Sequence, residues 1–140
     1  MVASGLTTTW MNSILGELFG GVALAAPATL YFGLATAVAA NGTITGEPSG
    51  GSYARKSQAN DATLWNTPSG GAVDNKIAIT FATATGAWGT LDTFFIATAA
   101  TGGAAVVVAY GTLTVEKTIT SGDTPSFAAG ALDISLTATT

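Results

Sequence analysis

Four carboxylates beyond residue 90, Asp92, Glu116, Asp123 and Asp133, are the first residues whose chemistry invites a functional reading. Two carboxyl groups about 5–10 Å apart can cleave a glycosidic bond, one as acid and the other as base or nucleophile. These four fall on separate strands or turns, and no spacing pairs them. Asp123 follows Gly122, an arrangement that serves a turn. A calcium loop needs several oxygen ligands close together in sequence, and no such run occurs. Histidine and cysteine are absent, which removes the commonest general base and the usual ligands of structural zinc. We expect no catalytic residue, no cofactor, no metal and no enzymatic activity.

The basic pair Arg55-Lys56 lies beside Tyr53. Together with Trp65, Tyr53 and Arg55 form a candidate surface-recognition set for a host glycan, since sugar recognition commonly stacks rings. The alternative is a solvated strand edge whose charges resist pairing with other strands. Glu116-Lys117 reads as an exposed strand pair. Asn41-Gly42-Thr43 has the form of a glycosylation sequon but reads as an Asn-Gly turn.

These groups sit in a chain of 140 residues, enough for one domain with a sizeable core. Charged residues make up 9% of it, against roughly 25% in ordinary soluble proteins. The net charge is −4, which argues against nucleic-acid binding, because phosphate contacts need clustered Lys and Arg. A surface this poor in charge suits a subunit that meets neighbours over much of its area. We expect a symmetric homo-oligomer, a trimer, with a free Thr-rich β domain as the alternative.

The stretch Leu18 to Ala40 carries no charge, yet it does not read as a membrane span. It contains Gly20, Gly21, Pro27 and Gly33, and no Lys or Arg precedes Arg55. The basic anchor of a span and the basic start of a secretory signal are both missing. No membrane insertion is expected. The run divides instead. "TTTWMNSILGELFGG" predicts a short amphipathic helix, with one of Thr7 to Thr9 as N-cap, Trp10, Ile14, Leu15 and Leu18 on one face, and Gly20-Gly21 as the stop. Trp10, Met11, Leu15 and Leu18 are the candidate subunit contact, with packing into the chain's own core as the ordinary use of such a stripe.

Beyond Pro27 the pattern is β. Leu30, Phe32 and Leu34 alternate, as do Ile77, Ile79 and Phe81, and Leu132, Ile134 and Leu136. Loops are expected at 41–52 and 60–72, the second pinned by Leu64 and Trp65. A long run, 104–120, has a break near Gly111. We expect six to eight strands in a mainly β fold, a single antiparallel β-sandwich of jelly-roll or Greek-key type with a short N-terminal helix. Residues 1–26 would form a helical arm and linker, and residues 27–140 the sandwich domain.

Four blocks occur in order: "PATLYFGLAT", "GGSYARKS", "ITFATATGAWGTLDTFFIATAATGG" and "YGTLTVEKTITSGDTPSFAAGALDISL". With them the chain resembles small virion proteins of tailed bacteriophages, commonly labelled phage tail fibre proteins. The resemblance implies a non-enzymatic structural part of the phage particle, a tail-fibre or tail-associated component that contacts other virion proteins. The alternatives are a capsid decoration or cement protein and, from another class, a host-glycan-binding module.

Without His or Cys, no side chain has an ordinary pKa between roughly pH 5 and 8. Melting temperature and oligomeric state should be flat across that range and indifferent to EDTA. A midpoint near pH 6.5, or a large drop on chelation, would contradict this.

Overall fold

The computed structural model describes residues 2–136; Met1 and residues 137–140, the last part of the expected sandwich domain, lie outside the described residues. The chain opens with β1 (Val2–Leu6) and passes directly into α1 (Thr8–Gly20). Then come β2 (Thr29–Ala35), the ribbon β3 (Ala37–Val38) and β4 (Ile44–Thr45), β5 (Lys56–Ala59), β6 (Ala72–Asp74) and β7 (Ile79–Thr80). The remainder is β8 (Gly89–Ala97), a 3-10 turn at Ala104–Val106, β9 (Val107–Ile119), β10 (Ser126–Phe127) and β11 (Leu132–Ser135). No helix among the described residues is long and apolar enough to cross a membrane.

One large sheet organises these elements, in the order β5-β2-β8-β9-β1-β11-β6, with β7–β10 and β3–β4 as separate two-stranded ribbons. Pairing in the large sheet is antiparallel except between β1 and β11. β8 and β9 are consecutive in the chain; the other neighbours are not. The expected helix was thus preceded by an unexpected strand. β1 lies inside the sheet, pairing Ser4 with Gly111 on one side and with Ile134 on the other.

Alternation along β2 sorts side chains to two faces. Leu30, Phe32 and Leu34 join Phe94 and Ile96 of β8 and meet Leu64, Ile79, Phe81 and Trp88 in the larger core. Ala35, Phe95, Ala97 and Val107 form a smaller core on the opposite face, where Val38 and Ile44 of the β3–β4 ribbon pack. The result is mainly β and sandwich-like, as the alternation implies. Gly33 belongs to this packing. A Cβ there would meet the Phe95 ring at 2.1 Å, so a side chain in mid-strand is excluded by the ring that covers it.

Alternation overreached at two places. Ile77 is exposed while Ile79 and Phe81 are buried, because regular pairing covers only Ile79–Thr80, opposite Ser126 and Phe127. Leu132 is fully buried, yet Leu136 is exposed where β11 has ended.

Asn75 is the main polar group inside. It has no exposed surface. Its amide nitrogen donates to the carbonyls of Ile77 and Ala128, both at 2.8 Å. Its side-chain oxygen accepts from the Leu132 N–H at 2.8 Å. One side chain thereby closes the turn after β6 and aligns the start of β11. Asn75→Ala would remove three hydrogen bonds to the backbone, the one to the Leu132 N–H buried, so we predict a loss of about 3 kcal/mol in urea unfolding. A loss below about 1 kcal/mol would contradict this role.

Candidate functional site

Thr7 roots the arm. Its backbone adopts the N-cap conformation, but its hydroxyl makes no cap bond and donates instead to the Val107 carbonyl at 2.9 Å. Its N–H reaches the Val108 carbonyl at 2.9 Å, and the Thr8 N–H reaches that of Ala40 at 2.9 Å. The first turn is therefore tied to the beginning of β9 and to the β3–β4 ribbon. Past that turn, α1 leaves the body, and no residue of it is buried.

The far end of the helix is closed by its own continuation. Gly21 takes the left-handed conformation (φ 63°), and the Val22 N–H returns to the Gly16 carbonyl at 3.1 Å. Val22 lies over the small face made by Gly16 and Gly20, while Glu17 accepts from the Leu24 N–H. The side of α1 that bears Gly16 and Gly20 thus meets the segment that follows it at the last turn only, with Val22 itself 65% exposed. At 100° per residue, Met11, Leu15 and Leu18 share another face with Phe19 beside them. All four are exposed, Leu18 by 68% and Phe19 by 83%. Trp10 is half-buried at the root. Of the sequence-predicted contact residues, Met11, Leu15 and Leu18 share the exposed face, Trp10 lies apart at the root, and none is in the core.

At the other end of β9 lies an apolar groove of 380 Å³. Between the pairs Thr93–Thr112 and Leu91–Lys117, Asp92 of β8 faces four residues of β9, Leu113 to Glu116. The expected break near Gly111 is this excursion. It pushes Val115 outward, leaving it 64% exposed, and forms one wall. Leu34, Leu91 and Ile119 lie beneath, Phe127 and Pro125 stand opposite, and Lys117 is the charged lining residue.

Tyr53, Arg55 and Trp65 do not come together at an exposed face. Arg55 is buried, which corrects its expected surface position. Its Nε and one terminal nitrogen donate to the two carboxylate oxygens of Glu47, both at 2.8 Å. The guanidinium also donates to the carbonyls of Ala99 (3.0 Å) and Gly102 (2.7 Å). Its carbon stands 4.8 Å from the centre of the Phe95 ring. Four of its five N–H groups are used inside, in a fork only Arg offers. The Tyr53 hydroxyl accepts from the Leu34 N–H (3.0 Å) and donates to Glu47 (3.0 Å). Its ring and Phe81 flank Trp88 at 5.1 and 6.4 Å. Trp65 donates to Asn60 at 3.0 Å and packs near Phe32. Neither Glu47 nor Asn75 was singled out from sequence: Glu47 sits in a stretch that reads as a loop, and the Asn75 partners at 128 and 132 lie far along the chain.

The carboxylates stay apart in function. Asp92 accepts from the Thr93 hydroxyl and Asp123 from the Thr120 N–H and hydroxyl in the expected turn. Those Thr120 bonds hold the Asp123 carboxyl below its ordinary pKa. Glu116 is exposed on the excursion. Asp133 stands opposite Asp74 in the β11–β6 register. Among the described residues, no three His, Cys, Asp or Glu are grouped to hold a metal ion.

Burial raises the Tyr53 pKa well above its ordinary value, and the Glu47 charge adds to the effect. Above about pH 10 the unfolded chain ionises this phenol while the folded chain keeps it protonated. The unfolded state then binds fewer protons, so stability conferred by Tyr53 falls as pH rises through that range. Tyr53→Phe should cost about 1 kcal/mol at pH 7, and its deficit against wild type should shrink in urea titrations above pH 10. A deficit that stays constant with pH would contradict a buried, neutral phenol.

The arm, the groove and the Arg55 network all fall within residues 5–135, the span matched by the family model of the Podophage GP4 fiber I protein gp80. No curated protein matches the chain significantly. The chain therefore belongs to this family of phage fibre proteins and is a component of the virion particle.

Proposed function

We propose that this fibre protein is a non-enzymatic, tail-associated subunit that works as a homo-oligomer, a trimer, with Trp10, Met11, Leu15 and Leu18 of α1 at the contact between subunits. The observation that carries this reading is the outward apolar stripe of α1, where Met11, Leu15, Leu18 and Phe19 are all exposed on a helix of which no residue is buried. Burying a Leu or Met side chain contributes about 1.5–3 kcal/mol, so the stripe favours any arrangement that removes it from water. The scarcity of charge over the whole chain favours the same outcome. A non-enzymatic role is supported by carboxylates that serve turns, strand pairs and a buried ion pair. A host-glycan site at Tyr53, Arg55 and Trp65 has no such support, because these side chains are engaged in internal hydrogen bonds.

The arm can be removed without its strand. β1 ends, and β2 begins, at the same end of the sheet, three strand spacings apart, about 14 Å. A linker of about eight Gly/Ser residues in place of residues 8–26 spans that distance. We predict that wild type sediments as a trimer at micromolar concentration. The linker variant should keep its β circular dichroism and sediment as a monomer. A monomeric wild type, or an oligomeric variant, would contradict the proposal.

A further inference from the structure

We infer that the α1 stripe of one copy docks into the groove beside Leu113–Glu116 of a second copy; this deepens the homo-oligomer reading above and rests on it. The two surfaces match in kind. Met11, Leu15 and Leu18 follow the i, i+4, i+7 spacing by which an amphipathic helix seats itself in an apolar groove. The groove offers apolar floor and walls from Leu91, Leu113, Ile119 and Phe127, and its 380 Å³ accepts several aliphatic side chains. The helix carries a single charge, Glu17, and the groove is lined by a single charged residue, Lys117, of opposite sign. Glu17 lies on the side of the helix away from the stripe, beside Leu24, so docking the stripe need not press it against Glu116 of the excursion.

The placement of the two surfaces selects a second copy as the occupant. Thr7 fixes the helix root to Val107 and Val108, at the start of β9. The groove opens at Leu113 and beyond, about 20 Å further along the strand. In the single chain the stripe is exposed and the groove is open to solvent. An arm at one end and a groove at the other make a head-to-tail contact, which closes into a ring when the rotation between copies allows it. A trimer is one such ring. The excursion gives Val115 an exposed position on the groove wall, and strand irregularities of this kind commonly re-aim a side chain.

The chain has no cysteine, so introduced ones report without background. Met11→Cys, Leu15→Cys and Leu18→Cys are each mixed with size-tagged Val115→Cys and oxidised. All four positions are exposed, so the fold is unaffected. At least one mixture should give a disulfide between the two different chains, abolished by adding Glu at another stripe position. Leu18→Glu and Val115→Glu should each raise the dissociation constant at least about tenfold. An intact oligomer that forms no mixed disulfide and tolerates Val115→Glu overturns the docking while leaving the homo-oligomer reading in place. A monomeric wild type overturns both. Protection of the stripe only when another virion protein is added overturns the second copy as the occupant.

Discussion

The insertion of Val2–Leu6 between β9 and β11 is the contact on which the rest of the molecule depends. In the strand order of the large sheet, β1 is the bridge between the four strands β5-β2-β8-β9 and the pair β11-β6. The first residues of the chain thus join segments more than one hundred positions away, antiparallel on one side and parallel on the other. A strand in that place cannot also serve as a loose tether. It ends at the start of β9, and Thr7, fully buried, turns the chain outward. The helix leaves from a rigid root, which is what a contact with a defined orientation requires. An arm on a flexible linker would lose more freedom on docking and bind less well for the same contacts.

The second constraint is the placement of charge. With four cations in the chain, one is spent in the interior, as Arg55 between Glu47 and the Phe95 ring. A buried pair of this sort contributes little net stability compared with an apolar substitute, but removing one partner strands the other at a cost of about 3–5 kcal/mol. Its value here is positional. The guanidinium holds the carbonyls of Ala99 and Gly102 in the β8–β9 connection, and Glu47 in turn receives Tyr53. Two connections, β4–β5 and β8–β9, are registered against the small core by two ions and a phenol. What remains outside is uncharged enough for close packing between copies.

Much of the larger core was legible in the sequence. Leu30, Phe32 and Leu34 alternate cleanly because β2 has covered neighbours along its whole length. The helix limits were also legible, since Gly20-Gly21 supply the left-handed stop. β1 was not. "VASGL" has no alternation strong enough to announce a strand, and its conformation comes from two partners remote in sequence. The same holds for β4, set in a stretch that reads as a loop, and for β3 and β6, each only two or three residues long and too short to show alternation. Arg55 misled for the same physical reason. "YARKS" looks solvated locally, while the groups that bury Arg55 come from residues 47, 95, 99 and 102. Periodicity shows that a helix has an apolar stripe, but not whether that stripe faces its own sheet or another chain.

On the docking proposed above, α1 and the Leu113–Glu116 excursion meet in the assembled protein, and both are exposed in the single chain. Hydrogen exchange followed across a dilution series tests it most directly, because it reads both surfaces at once without substitution. Amides of the helix beyond its first turn and those of the excursion should gain protection together, with one concentration midpoint that coincides with assembly. Assembly that protects neither surface, or protects the helix while the excursion exchanges as in the monomer, would contradict it.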